Sequence, residues 1–323
     1  MDARSLGTEA GSSSASVVPL RSVRTCRAGG IRGEPDSSCG FPARHLSAAH
    51  DATRSLNEDR GAMKDALFER PLCGVDSSPE SLVAVGQAAR LVDRAGTLLL
   101  VGVAEVDLAV HAGWAATAVL HDILAEARSA ISSAHELEPD AETIVVEGAP
   151  TDWLLRLVRE KRADLVAVGS HGGSRITGIL LGSVATRMLH DAPCSVLLAR
   201  RSRNTDHFPT RICVGVDGSP ESALAAGVAH GLANEFGAAV SVIAACGGKK
   251  LWLDRLRAVE PEASLDERPA VEALVDRAAA EDADLLVVGS RGLHGAAALG
   301  SVSEQVAHRA HCSVLVVREL GEA

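Results

Sequence analysis

A chain of 323 residues with 46% hydrophobic side chains has the material for two domains, each with a core of its own. Aromatic residues make up 2% and Tyr is absent, so stacking platforms for single-stranded nucleic acid are few, and a net charge of −10 without a dense Lys/Arg run argues against a phosphate-backbone binder. No apolar stretch reaches the roughly 18–20 residues of a membrane span, and seven Cys (26, 39, 73, 194, 213, 246 and 312) without a CxxC pair suit buried thiols in a reducing cytoplasm better than a disulfide framework.

Residues 1–62 are rich in Ser, Gly, Ala and Arg, hold no Lys and show no sustained apolar periodicity, which predicts a disordered extension ending near residue 66. Seven acidic residues in that stretch count against an organelle transit peptide. A second reading places the true start at Met63 and treats the upstream stretch as a gene-model extension. From residue 67 the chain alternates between strand and helix patterns, as parallel α/β sheets do. A strand is predicted to end at Val75, followed by a helix opened by Pro79 and Glu80 and running towards Arg94, with Ser77 or Ser78 as N-cap. Next come a strand over Thr97–Val103 without alternation, hence buried on both faces, and a long amphipathic helix over Ala112–His135. A strand at Thr143–Glu147, a helix at Asp152–Arg162, a strand at Asp164–Val168, a helix at Val184–His190 and a strand at Ser195–Ala199 complete the first set.

The same plan then repeats. Gly74-Val75-Asp76-Ser77-Ser78-Pro79-Glu80-Ser81 returns as Gly215-Val216-Asp217-Gly218-Ser219-Pro220-Glu221-Ser222, and Val168-Gly169-Ser170-His171-Gly172 as Val288-Gly289-Ser290-Arg291-Gly292. Each second block leads to Gly-Ser-Val and then to Cys-Ser-Val-Leu. The domains are therefore set at 67–201 and 209–323, joined by a polar linker at 202–208. Copy two has strands near Ile212–Val216, Ala239–Ala244, Asp284–Val288 and Ser313–Val317. It is 21 residues shorter between its second and fourth strands, with its long helix reduced to Leu251–Val259 and a weak third strand at Ala263–Asp266.

Asp76 and Gly169 are 93 residues apart, yet each stands at the carboxyl end of a buried parallel strand. Ligands of doubly wound sheets bind outside those ends, where strand order reverses. The loop Gly169-Ser170-His171-Gly172 offers unobstructed backbone N–H groups, and Gly182-Ser183 opens a helix whose N-terminus favours anions, phosphate above all. Asp76 across the crevice suits the amino group of a base such as adenine. A blander reading leaves the glycines as tight turns and Asp76 as a cap on its own helix.

Asp76 with Gly169-x2-Gly172-x9-Gly182-Ser183 resembles the ATP-binding signature of the universal stress protein family, and residues 67–323 resemble a tandem of two such domains. The resemblance implies an α/β fold of two tandem doubly wound parallel five-stranded sheets, order 3-2-1-4-5, the second truncated. It implies that Asp76 and the backbone near Val103 meet adenine, Gly169 the ribose, and Gly172, Gly182, Ser183 and Val184 the phosphates of ATP, with Mg²⁺ as companion. It further implies pairing of the two domains through their last strands, Ser195–Ala199 and Ser313–Val317, and leaves room for a homodimer of whole chains. Copy two departs from the signature: Asp217, Gly289, Gly292, Gly300 and Ser301 remain, but seven residues rather than nine separate Gly292 from Gly300. Weak or absent nucleotide binding is expected there.

His308, His311 and Cys312, echoed in part by His190, Asp191 and Cys194, fall short of a converging zinc set. His171 either contacts phosphate or faces solvent. No Gly-x-Ser-x-Gly elbow and no P-loop Lys is present, so no catalytic residue is named and weak ATP hydrolysis is the most enzymatic reading. Three functions stay open: an adenine-nucleotide sensor or regulator of the stress response in the cytoplasm, a nucleotide-free interaction module acting through dimerisation, and a weak ATPase.

Overall fold

Short apolar runs bounded by Gly, Asp and Ser form the strands, and the amphipathic stretches between them form the helices that cover the sheet. A computed structural model describes residues 67–106, 116–171, 181–201, 207–245, 256–257, 260–290 and 300–319, all within the unit Ser47–Ala323. Copy one runs β1 (Pro71–Val75), α1 (Pro79–Arg90), β2 (Leu99–Ala104), α2 (Ala116–Leu137), β3 (Glu142–Glu147), α3 (Pro150–Glu160), β4 (Leu165–Gly169), α4 (Ser183–Asp191) and β5 (Ser195–Ala199). Copy two follows with β6 (Arg211–Gly215), α5 (Pro220–Phe236), β7 (Ala239–Ala245), β8 (Ser264–Asp266), α6 (Ala270–Ala280), β9 (Leu285–Gly289), α7 (Ser301–Arg309) and β10 (Ser313–Val317).

The ten strands form one continuous sheet in the order β3-β2-β1-β4-β5-β10-β9-β6-β7-β8. Each copy has the expected 3-2-1-4-5 order, and all pairings are parallel except one. At the junction β5 meets β10 antiparallel, with Leu198 opposite Val314, Leu197 opposite Leu315 and Val196 opposite Val316. The last strands thus pair within the chain, as expected, and the two five-stranded sheets fuse into one. Both junction strands are buried along their whole length, which fits strands covered on both faces.

Two apolar layers sandwich the sheet. One holds Val85 of α1, Ile131 of α2 and Ala225 of α5; the other holds Leu154 of α3, Met188 of α4, Leu274 of α6 and Val306 of α7. Fully burying a Leu or Met side chain contributes roughly 1.5–3 kcal/mol, so these layers carry most of the stability.

Boundaries differ modestly from the sequence expectation. Helix α1 stops at Arg90 rather than near Arg94 because the chain turns back beside Phe68: the Phe68 N–H donates to Leu91 O and the Asp93 N–H to Phe68 O, each at 2.8 Å. Of the α1 N-cap alternatives, Ser78 takes the place, its side chain accepting from the Ser81 N–H. Helix α2 extends two residues past His135, while its expected start at Ala112 lies outside the described residues. Of the expected copy-two helix, only Leu256 and Arg257 are described, both helical.

A pair of buried carboxylates fixes the opposite pole of each sheet. Asp164, before β4, accepts from the backbone N–H groups of Glu69 (2.7 Å) and Arg70 (3.0 Å), which lead into β1. Asp284, before β9, does the same for Thr210 (2.7 Å) and Arg211 (3.0 Å), and takes the Thr210 hydroxyl as well at 2.6 Å. These carboxylates belong to the start of the central strands, far along the sheet from the crevice.

Candidate functional site

Strand order reverses between β1 and β4, so the carboxyl ends of those two strands flank the crevice of copy one. Asp76 follows β1 there. Its Oδ1 accepts from the Ser78 N–H at 2.9 Å and from the Ser78 hydroxyl, an Asx turn that sets the start of α1. The Ser81 hydroxyl reaches back to Asp76 O at 2.7 Å. Asp76 is exposed, so the carboxylate is held in place while remaining open to solvent. It is not the N-cap itself; that role falls to Ser78.

Gly169 ends β4 directly beneath this turn. A Cβ on it would come within 2.9 Å of the Glu80 carbonyl carbon and 3.1 Å of the Ser81 nitrogen. Glycine is required there by the close approach of α1, a packing reason independent of any ligand. The chain continues through Ser170, whose N–H donates to Ala199 O at 3.0 Å and whose carbonyl accepts the Gly182 N–H at 2.9 Å. Asp76, Ser81, Gly169, Ser170 and Gly182 are thereby linked by short contacts into one rim.

Gly182 is the N-cap of α4 and supplies no side-chain cap; the first turn of that helix carries no acid. Its leading N–H groups therefore have no internal partner and present positive potential. Ser183 is exposed and Val184 half-buried beside them. Val103, in β2, is half-buried one position beyond the residue opposite Val75. His171 Nδ1 lies 3.0 Å from the Ser170 hydroxyl, and its Nε2 is buried without a hydrogen-bond partner. Gly172 lies outside the described residues.

Helix α2 walls the crevice through a contact that the sequence did not reveal. Glu126 accepts from the Ser77 hydroxyl at 2.6 Å, tying the long helix to the loop that carries Asp76. Gly102 in β2 lets α2 approach: a Cβ there would fall 2.6 Å from Ile131 Cγ1. The only advance signal was Glu126 lying on the predicted amphipathic helix, which says nothing about its partner.

Copy two repeats the rim. Asp217 Oδ1 accepts from the Ser219 N–H at 3.0 Å and its hydroxyl at 2.5 Å. Gly289 lies against Glu221 as Gly169 does against Glu80. The Gly300 N–H donates to Ser290 O at 2.6 Å, Gly300 is the N-cap of α7, and Ser301 is exposed. Three features differ. Gly218 replaces Ser77, the α2 counterpart is cut down, and Glu304 sits in the first turn of α7, where it faces His190 of copy one at 3.3 Å. A carboxylate there offsets the dipole that would draw an anion. Gly292 lies outside the described residues.

An open cleft of about 540 Å³ lies between α3 and α4, lined by Asp152, Leu155, Arg159, Arg187, His190 and Asp191. Its α4 residues belong to the half of the helix opposite Gly182, so it is separate from the crevice, and its mixed charges select no ligand. Among the described residues no three His, Cys, Asp or Glu side chains converge as metal ligands. His308 and His311 end α7 or follow it, while Cys312 is buried. Cys73, Cys194, Cys213 and Cys312 are free, buried thiols; burial pushes Cys194 and Cys213 up to about 12 and Cys312 up to about 11. Thiols held neutral in this way are poor nucleophiles. No described helix is long and apolar enough to cross a membrane.

The universal stress protein family model matches residues 68–200 and 244–318. A universal stress protein of Mycolicibacterium smegmatis is 32% identical over 289 residues, covering 76% of this chain and 96% of the relative. One of Mycobacterium tuberculosis is 30% identical over 290 residues, covering 77% and 96%. Among solved structures, a universal stress protein from Archaeoglobus fulgidus superposes with a TM-score of 0.55 at 20% identity, covering 77% of this chain and 96% of that one. The fold is shared across that distance.

Proposed function

Because the chain belongs to the universal stress protein family, we propose that copy one, residues 67–201, binds ATP with Mg²⁺ and that the chain acts in the cytoplasm as a nucleotide-dependent sensor or regulator of the stress response. Copy two, residues 209–323, is its partner domain and binds nucleotide weakly or not at all.

The observation that carries this reading is α4: a helix N-capped by glycine, free of acid in its first turn, and hydrogen-bonded through Gly182 to the end of β4. That arrangement suits a phosphate group. In the proposed site, Gly182, Ser183 and Val184 hold the phosphates together with Gly172, Gly169 lies against the ribose, and Asp76 with the Val103 backbone meets adenine. The Asp76 Oδ1 is occupied by Ser78, so Oδ2 is assigned to the base. The unpartnered Nε2 of His171 suits a phosphate oxygen when the Ser170 hydroxyl donates to Nδ1. Mg²⁺ arrives with the phosphates rather than on a protein carboxylate. No catalytic residue is assigned; the output is a change of conformation or partner set by occupancy. The free buried thiols support the cytoplasmic assignment.

Calorimetric titration of ATP with Mg²⁺ into nucleotide-free full-length protein tests the reading. One site per chain is expected. Two sites would overturn the assignment of copy two, and no binding, with none carried through purification, would favour the interaction-module alternative.

A further inference from the structure

Helix α4 is nine residues long, about 13–14 Å from end to end. One end carries Gly182 and Ser183. The other end is held by a residue from copy two: the Arg318 guanidinium donates through Nη2 to Leu189 O and through Nη1 to Ala192 O. Those two carbonyls belong to the last turn of α4 and the residue after it, where the helix dipole is negative and a cation is favoured. A planar fork with two parallel donors fixes direction as well as charge, which a lysine does not.

The position of Arg318 is preset by the junction. It follows β10 directly, and its backbone is locked to copy one by the Ser195 hydroxyl, which accepts the Arg318 N–H at 3.2 Å and lies 3.4 Å from Arg318 O. His190 of α4 adds a second cross-copy contact, to Glu304 at 3.3 Å. The underside of α4 is buried through Met188 and Leu189, so the helix can pivot little except at its two ends. One of those ends is Arg318's.

The arrangement is reciprocal. Arg200, directly after β5, donates to Ala307 O at 2.6 Å and to Cys312 O at 3.4 Å, holding the end of α7. Its backbone N–H donates to the Ser313 hydroxyl at 3.0 Å. Each copy thus anchors the other's second-loop helix, but only α4 leads from the intact glycine spacing. We propose that Arg318, contributed by copy two, is a positioning residue for the nucleotide site of copy one, acting through the orientation of α4. This role rests on the reading that the α4 N-terminus receives the phosphates. It gives copy two a part in ligand binding without a ligand of its own.

The matched pair Arg318→Met and Arg200→Met provides the test, in the full chain and well below the unfolding temperature. Arg318→Met is expected to weaken ATP binding about tenfold, Arg318→Lys to recover part of that, and Arg200→Met to leave affinity within about twofold while lowering thermal stability comparably. Affinity unchanged in Arg318→Met, or weakened equally in both Met variants, would overturn the proposal. Amide hydrogen exchange on the ligand-free protein separates this role from the nucleotide reading. Faster exchange at residues 186–188, the first hydrogen-bonded amides of α4, in Arg318→Met and not in Arg200→Met supports the positioning role even if wild type binds no ATP, in which case only the assigned ligand fails. Unchanged exchange at those residues sinks the positioning role whatever the titration gives.

Discussion

Copy one covers the β2 side of its sheet with the 22-residue helix α2, whereas copy two is 21 residues shorter between its second and fourth strands, and only Leu256 and Arg257 of its expected helix are described. The rims of the two crevices are nevertheless almost superimposable in their bonding: Asp to Ser, glycine against the first helix turn, glycine as N-cap of the second-loop helix. The comparison shows that these rim residues serve the fold. The Asx turn starts α1 and α5, and Gly169 and Gly289 let those helices approach the sheet. What separates the copies among the described residues is the Ser77–Glu126 bond that ties α2 to the crevice and the acid-free first turn of α4.

The sharpest break of this comparison is a bulky residue at the N-cap glycine. Gly182 has φ −65° and ψ 162°, backbone open to any residue, so Gly182→Val should keep the fold yet lower ATP affinity about a thousandfold, near 4 kcal/mol. Gly300→Val in copy two should leave affinity unchanged. Equal effects in a titration would mean that both crevices bind.

The buried carboxylates come next. Asp284 is 3% exposed and accepts three bonds; Asp164 is 9% exposed and accepts two. Stranding buried N–H groups costs about 1–3 kcal/mol each, so Asp284→Ala should cost about 3 kcal/mol in urea denaturation and Asp164→Ala about 2. A reversed order would show that copy one depends more on this anchor.

Gly102→Ala should cost about 2 kcal/mol by pressing on Ile131. At the register-equivalent place copy two already carries Ala244, fully buried. Ala244→Gly should cost only about 1 kcal/mol, and thermal melts of the two variants measure the contrast.

The last effect is in alkaline stability. The folded thiols of Cys194 and Cys312 are raised by burial to about 12 and about 11, above the ordinary thiol value near 8.5. Their contribution is fully present below about pH 8.5 and is lost as pH rises towards the folded value, at about 1.4 kcal/mol per pH unit per thiol. Cys194→Ala and Cys312→Ala should therefore each relieve part of the alkaline loss above about pH 8.5. Denaturation midpoints between pH 8 and 11 would show it, and equal slopes in wild type and both variants would refute it.

Strands were legible because buried parallel strands are unbroken apolar runs, and β5 and β10 fall where their Cys-Ser-Val-Leu repeats placed them. Helix starts were legible where Pro follows Ser. Less could be read where long-range packing decides: Arg90 ends α1 because Phe68, 22 residues earlier, takes the next turn. Arg200 and Arg318 recur at the same offset as Gly182 and Gly300, a signal present in the sequence. Yet a lone arginine after a strand does not say whose helix it reaches, since that depends on an antiparallel junction between sequence-distant strands. Glu304 was likewise visible, but its meeting with His190 depends on the same junction.

The antiparallel meeting of β5 and β10 also has a consequence for solubility and stoichiometry. Cut apart, each half would expose a five-residue edge strand made almost wholly of Val, Leu and Ala, the kind of edge that templates aggregation. Covalent linkage supplies every such edge with its complement at a fixed ratio of one to one. Selection can then let the second crevice decay while still holding β10 to its apolar sequence.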